Sequence, residues 1–152
     1  MTESLQPLGV LLSQNERLRD AAIVEHQRVR AASVAAAAQV EQLTTYRREY
    51  EARWQAQFRQ AGQMELVRCY HGFMARLTQA VEQQSRIAEH AAAQVGHALS
   101  ELRAAELRCA SVRKLIERRS AEQRVGADRL EQKRSDELAS RTAWDRPNAA
   151  RP

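Results

Sequence analysis

Few residues in this chain combine a reactive type with a spacing that could do chemistry. His90 and His97 stand two helical turns apart, wider than the i,i+4 pair that grips a metal ion from one helix face. No cysteine or carboxylate cluster completes a ligand set around them, so they read as solvated histidines and no metal is expected. Cys69 and Cys109 lie far apart, match no metal-binding pattern and read as reduced thiols. There is no glycine-rich loop to cradle a phosphate, and no Ser, His and Asp constellation with a concave fold to hold it. The sequence therefore predicts neither an enzyme nor a cofactor. What remains is recognition chemistry, concentrated in two runs.

The first run is aromatic. "TTYRREYEARWQAQF", residues 44–58, carries Tyr46, Tyr50, Trp54 and Phe58 at intervals of four, in a chain with 3 Tyr, 2 Trp and 2 Phe in all. An interval of four places side chains on nearly one helix face. The match to the helical period is imperfect, so the four rings fan across about 120°. That is wider than the seam of a coiled coil, and some rings should face outward. The second run is basic. Arg113, Lys114, Arg118, Arg119, Arg124, Arg129, Lys133 and Arg134 outnumber Glu117, Glu122, Asp128 and Glu131. Such an excess suits an acidic protein surface or a nucleic-acid backbone, although the stretch lacks aromatics and any nucleic-acid reading motif.

The elements that must position these runs are helices. The 152 residues include only 3 Pro and 5 Gly, 28% are charged, the formal net charge is +5 and the mean hydropathy is −0.63. Much of the 43% hydrophobic content is alanine, as in "AASVAAAAQV" at 31–40, and alanine buries little area. A thick core is excluded, and a thin two-helix seam fits. In the second half a heptad a series runs Val67, Met74, Val81, Ala88, Val95, Leu102, Cys109, Ile116. Its d series runs Tyr70, Leu77, Gln84, Ala91, Ala98, Ala105, Val112, with Gln84 the one polar member. In the first half Leu8, Leu11, Leu18, Ala22, Val29, Ala32, Ala36, Leu43, Tyr46 and Tyr50 fall on one frame, interrupted by Asn15, Glu25, Gln39 and Arg53.

Gly62 in "FRQAGQMEL" marks the one plausible turn between the halves. The expected fold is all-α, a long antiparallel two-helix coiled-coil hairpin forming a single domain over 1–152. Helix one spans about 3–59, the turn about 60–64, helix two about 65–141, and a loose tail 142–152. Residues beyond about 122 should outrun the partner helix, where the core positions become Arg119, Gln123 and Gly126. No apolar run is long enough to span a membrane, so no direct membrane insertion is expected. The N-terminus lacks the basic region of a signal peptide, which points to the cytoplasm.

"LTTYRREY" at 43–50, "CYHGFMARLTQAV" at 69–81 and "RLEQKRSDELASR" at 129–141 resemble the flagellar FliJ family of the type III export apparatus over nearly the whole chain. That family includes the matching stalks of virulence secretion systems. The resemblance implies a stalk that enters a hexameric export ATPase, links it to the cytoplasmic part of the export gate and escorts export chaperones. Such a protein would be cytoplasmic, held peripherally at the inner membrane beneath the flagellum. It implies a gate-binding surface on Gln39, Leu43, Tyr46, Tyr50, Phe73, Leu77, Ala80 and Gln84. The last position is a histidine in better-known members, so the surface is altered there. It implies ATPase binding by Arg124, Arg129, Gln132, Lys133, Arg134, Asp136 and Glu137. Tyr46 and Tyr50 then face outward while Trp54 and Phe58 close the hairpin, whereas the heptad frame puts both tyrosines in the seam. The competing readings are a basic coiled-coil scaffold, a nucleic-acid-associated protein, or the stalk of a virulence secretion system; with the stalk reading no nucleic acid is expected.

Overall fold

The computed structural model describes residues 5–60 and 64–145. All regular structure in them is α-helix, in two elements, α1 (Gln6–Gln60) and α2 (Met64–Asp145). Alanine, glutamine, glutamate and arginine lose little on entering a helix, and no described residue has a positive φ. Pro7 sits in the first turn of α1, where its missing N–H forfeits no intrahelical bond. The expected turn around Gly62 falls outside the described residues. α2 continues to Asp145, past the expected end at 141, with the Thr142 hydroxyl donating to the Leu138 carbonyl at 2.7 Å and Pro147 just beyond.

The two helices pack against each other as an all-α helical hairpin, and the chain divides into two compact units. In the unit of residues 18–105, Tyr50 meets Phe73, Trp54 meets Tyr70, and Gln39 meets Gln84. Numbers fall along α1 as they rise along α2, so the helices are antiparallel. Val29, Ala36, Leu77, Ala98 and Ala105 are buried there. Alanine at so many of these points lets the helices approach closely while contributing little area each. In the other unit, formed by residues 1–17 and 106–152, Cys109 and Val112 are buried and Arg113 donates to Glu16 at 3.2 Å. Every described residue from 124 to 145 is exposed, so the helix has no partner there.

On α2, both heptad series are covered from Val67 to Ile116. On α1 only one series holds. Leu8, Ala22, Val29, Ala36, Leu43 and Tyr50 are covered, but Leu11, Leu18, Ala32 and Tyr46 are exposed. The covered companions stand one residue later, at Leu12, Arg19, His26, Ser33, Val40, Arg47 and Trp54. Spacings of three-then-four and four-then-three satisfy a heptad equally; the companion series moves by one residue, about 100°, and the centre of the seam by about half that. Burying Val40 and Trp54 instead of Gln39 and Arg53 decides the phase. Glu25, Gln39 and Arg53 thus interrupt nothing, because they lie outside the seam.

Candidate functional site

The i,i+4 spacing on α1 stacks four rings in a ladder. Tyr46 and Tyr50 lie 6.1 Å apart between centroids, Tyr50 and Trp54 5.8 Å, and Trp54 and Phe58 5.4 Å. α2 answers with Phe73, 4.3 Å from Tyr50, and with Tyr70, 5.6 Å from Trp54 and edge-on to Phe58 at 5.3 Å. Offset and edge-to-face rings at these separations add to the area they bury. Tyr46 alone in the ladder touches no ring of the other helix and is 45% exposed. Tyr50 is half-buried by Phe73. The two tyrosines therefore divide, one outward and one into the contact between helices. Trp54 and Phe58 pack inward on Tyr70.

The other residues of this surface sort by the same geometry. Gln84 Nε2, from a covered d position of α2, donates to Oε1 of the exposed Gln39 at 2.8 Å, tying the two helices together at the edge of the seam. Gln39, Gln42, Leu43, Tyr46 and Gln84 line one shallow groove without a charged group. Phe73 and Ala80 are half-buried. Leu77 is only 7% exposed, so it is a core residue that can reach a visitor only through the side chains it supports. The sequence placed it on the surface by resemblance, while its d position in the α2 heptad already put it inside.

Arg47 was not expected here. It stands on α1 between the Gln39–Gln84 and Tyr50–Phe73 contacts, half-buried at a seam position, with its Nε buried and without a hydrogen-bond partner. A buried donor left unpaired costs about 1–3 kcal/mol. Among the described residues no ion pair involves Arg47. The four-then-three spacing of α1 would have revealed it, between Val40 and Trp54.

The second candidate surface is the bare helix. Arg124, Arg129, Gln132, Lys133, Arg134, Asp136 and Glu137 are all exposed on it, as are Leu130, Leu138 and Trp144, the last at 81%. From 124 to 145 the cations Arg124, Arg129, Lys133, Arg134 and Arg141 are matched by Asp128, Glu131, Asp136, Glu137 and Asp145. The basic excess read from the sequence therefore sits earlier, at Arg113, Lys114, Arg118 and Arg119, and the bare segment itself is balanced.

Among the described residues no group of three His, Cys, Asp or Glu could hold a metal ion. Cys69 is exposed and Cys109 buried, both free. A perturbed pair lies on α1 outside the aromatic ladder. Arg28 donates twice to Glu25, at 2.6 and 2.9 Å, and that hydrogen bonding holds the carboxyl below its ordinary range. No described helix is long and apolar enough to cross a membrane.

The family model described as "Flagellar FliJ protein" matches residues 4–148. Comparison with curated proteins and with solved structures gives no match.

Proposed function

The chain belongs to the flagellar FliJ family, a flagellar export-related family of coiled-coil proteins, and on that premise we propose that it is the central stalk of the export ATPase. The bare end of α2 enters the hexameric ring, with Arg124, Arg129, Gln132, Lys133, Arg134, Asp136 and Glu137 facing its subunits. The surface around Gln39, Leu43, Tyr46, Tyr50, Phe73, Ala80 and Gln84 docks on the cytoplasmic part of the export gate, with Leu77 as its support. The same protein escorts export chaperones, working in the cytoplasm against the inner membrane at the flagellar base.

The observation that carries the reading is the unpartnered helix. A stretch with every residue exposed from 124 to 145 is marginal as a free helix, and a surrounding ring would supply the contacts that the chain does not. The aromatic surface belongs to the other compact unit, so the two partners would not compete for residues. Inside a ring, contacts by charge pattern and shape suffice, because successive subunits present similar groups.

The test is removal of residues 124–152. The expected result is loss of the stimulation that the full chain gives to the cognate export ATPase, with binding to the gate's cytoplasmic part retained. Stimulation by the shortened chain equal to that of the full chain would refute the assignment.

A further inference from the structure

Resting on the gate-binding reading above, we infer that Arg47 is the receptor for a carboxylate carried by the gate's docking segment. Three features converge on this residue. Its stem occupies a seam position where apolar Val40 and Trp54 hold the neighbouring places, so the stem is held by packing. Its Nε is enclosed and unpaired, and among the described residues no hydrogen bond or ion pair reaches its guanidinium. Glu51, one turn along α1, stands where an i,i+4 pair could form, yet no ion pair joins them.

A guanidinium in this state is better satisfied by an acceptor arriving from outside than by anything on its own chain. Its planar fork accepts a carboxylate through two parallel N–H···O bonds, one of them from Nε. Side-chain adjustment at interfaces on binding is common, and a rotation of the guanidinium about the end of its packed stem would bring Nε to the acceptor it lacks. The groove beside it offers amides and the Tyr46 ring but no charge. It would take the uncharged part of the same segment, leaving the acidic group to Arg47. The partner is thus a protein segment with an acidic side chain next to an apolar or amide-bearing one.

The experiment compares the full chain with Arg47→Gln, Arg47→Lys and Tyr46→Ala. Each is titrated against the purified cytoplasmic part of the export gate at low and high salt, with helicity followed by circular dichroism. Arg47→Gln should bind about tenfold or more weakly at low salt, as expected for losing a charge-assisted hydrogen bond, and should lose much of the salt dependence. Arg47→Lys should recover part of both. Helicity should be unchanged in all three. Unaltered affinity and salt response in Arg47→Gln, with Tyr46→Ala weakened, would overturn the carboxylate receptor and leave the gate reading standing. No effect in either would overturn both. A fall in helicity in Arg47→Gln would show that the guanidinium holds the seam, which also overturns the inference.

Discussion

Trp54→Ala and Tyr46→Ala, made separately, should differ sharply in stability, although both remove a ring from the same ladder. Trp54 is half-buried and touches Tyr50, Phe58 and, across the helices, Tyr70. An indole can bury about 250 Å², so half of it at about 25 cal/mol per Å² contributes about 3 kcal/mol. Alanine's better helix propensity returns about 0.5 kcal/mol, leaving a net loss of about 2.5 kcal/mol. Tyr46 is 45% exposed and its ring contact is with Tyr50 on its own helix, a pairing worth about 0.2–0.5 kcal/mol. Propensity gained on substitution cancels that, so Tyr46→Ala should be nearly neutral. Urea unfolding followed by helical circular dichroism measures both. Equal destabilisation by the two substitutions would mean that the seam passes through Tyr46, and the phase assigned to α1 would be wrong.

Gly96 and Gly126 lie inside α2 with nothing within 4 Å of where a Cβ would stand, so Gly96→Ala and Gly126→Ala should each stabilise the helix by about 1 kcal/mol; a lower thermal midpoint in either would contradict this. Gln39→Leu and Gln84→Leu should show a coupling of about 0.5–1 kcal/mol in a double-mutant cycle, and additive effects would mean that the 2.8 Å bond does not form in solution. Because Arg28 lowers the Glu25 carboxyl, its contribution is present above the ordinary carboxylate range and is lost as pH falls through the lowered value; Arg28→Gln should flatten that acid-side change, and an unchanged profile would refute the pairing.

The α2 seam was legible because both of its series are apolar almost throughout, leaving one way to lay the helix down. On α1 the doublets and alanines fit two phases. Leu11 and Leu12 are equally good, and the alanines at 31, 32 and 35–38 give no preference. The tie was broken by Trp54 and Phe58, whose large rings gain most from meeting Tyr70, and a count of apolar positions gives them no extra weight. The same tie concealed Arg47, since the rejected phase puts Tyr46 in the seam. The point where α2 outruns its partner was readable, because Arg119, Gln123 and Gly126 cannot sustain a core. The division between Tyr46 and Tyr50 was not, since it depends on where Phe73 arrives from the other helix.

The balanced charge of the bare α2 end changes what a partner can recognise there. A polycation would bind any anionic surface in proportion to its charge sum, and salt would abolish the binding. With cations and carboxylates matched over 124–145, the sum vanishes and only the pattern can select a partner. Leu130, Leu138 and Trp144 fall within about 120° of the helix circumference, so the pattern frames an apolar strip that no described residue covers. Burial of that strip would supply affinity for a partner, while the flanking charges would set orientation and exclude misaligned registers. A surface of this composition fits an enclosing protein wall better than a nucleic-acid backbone, because the backbone would gain from the cations only what it loses to the neighbouring carboxylates.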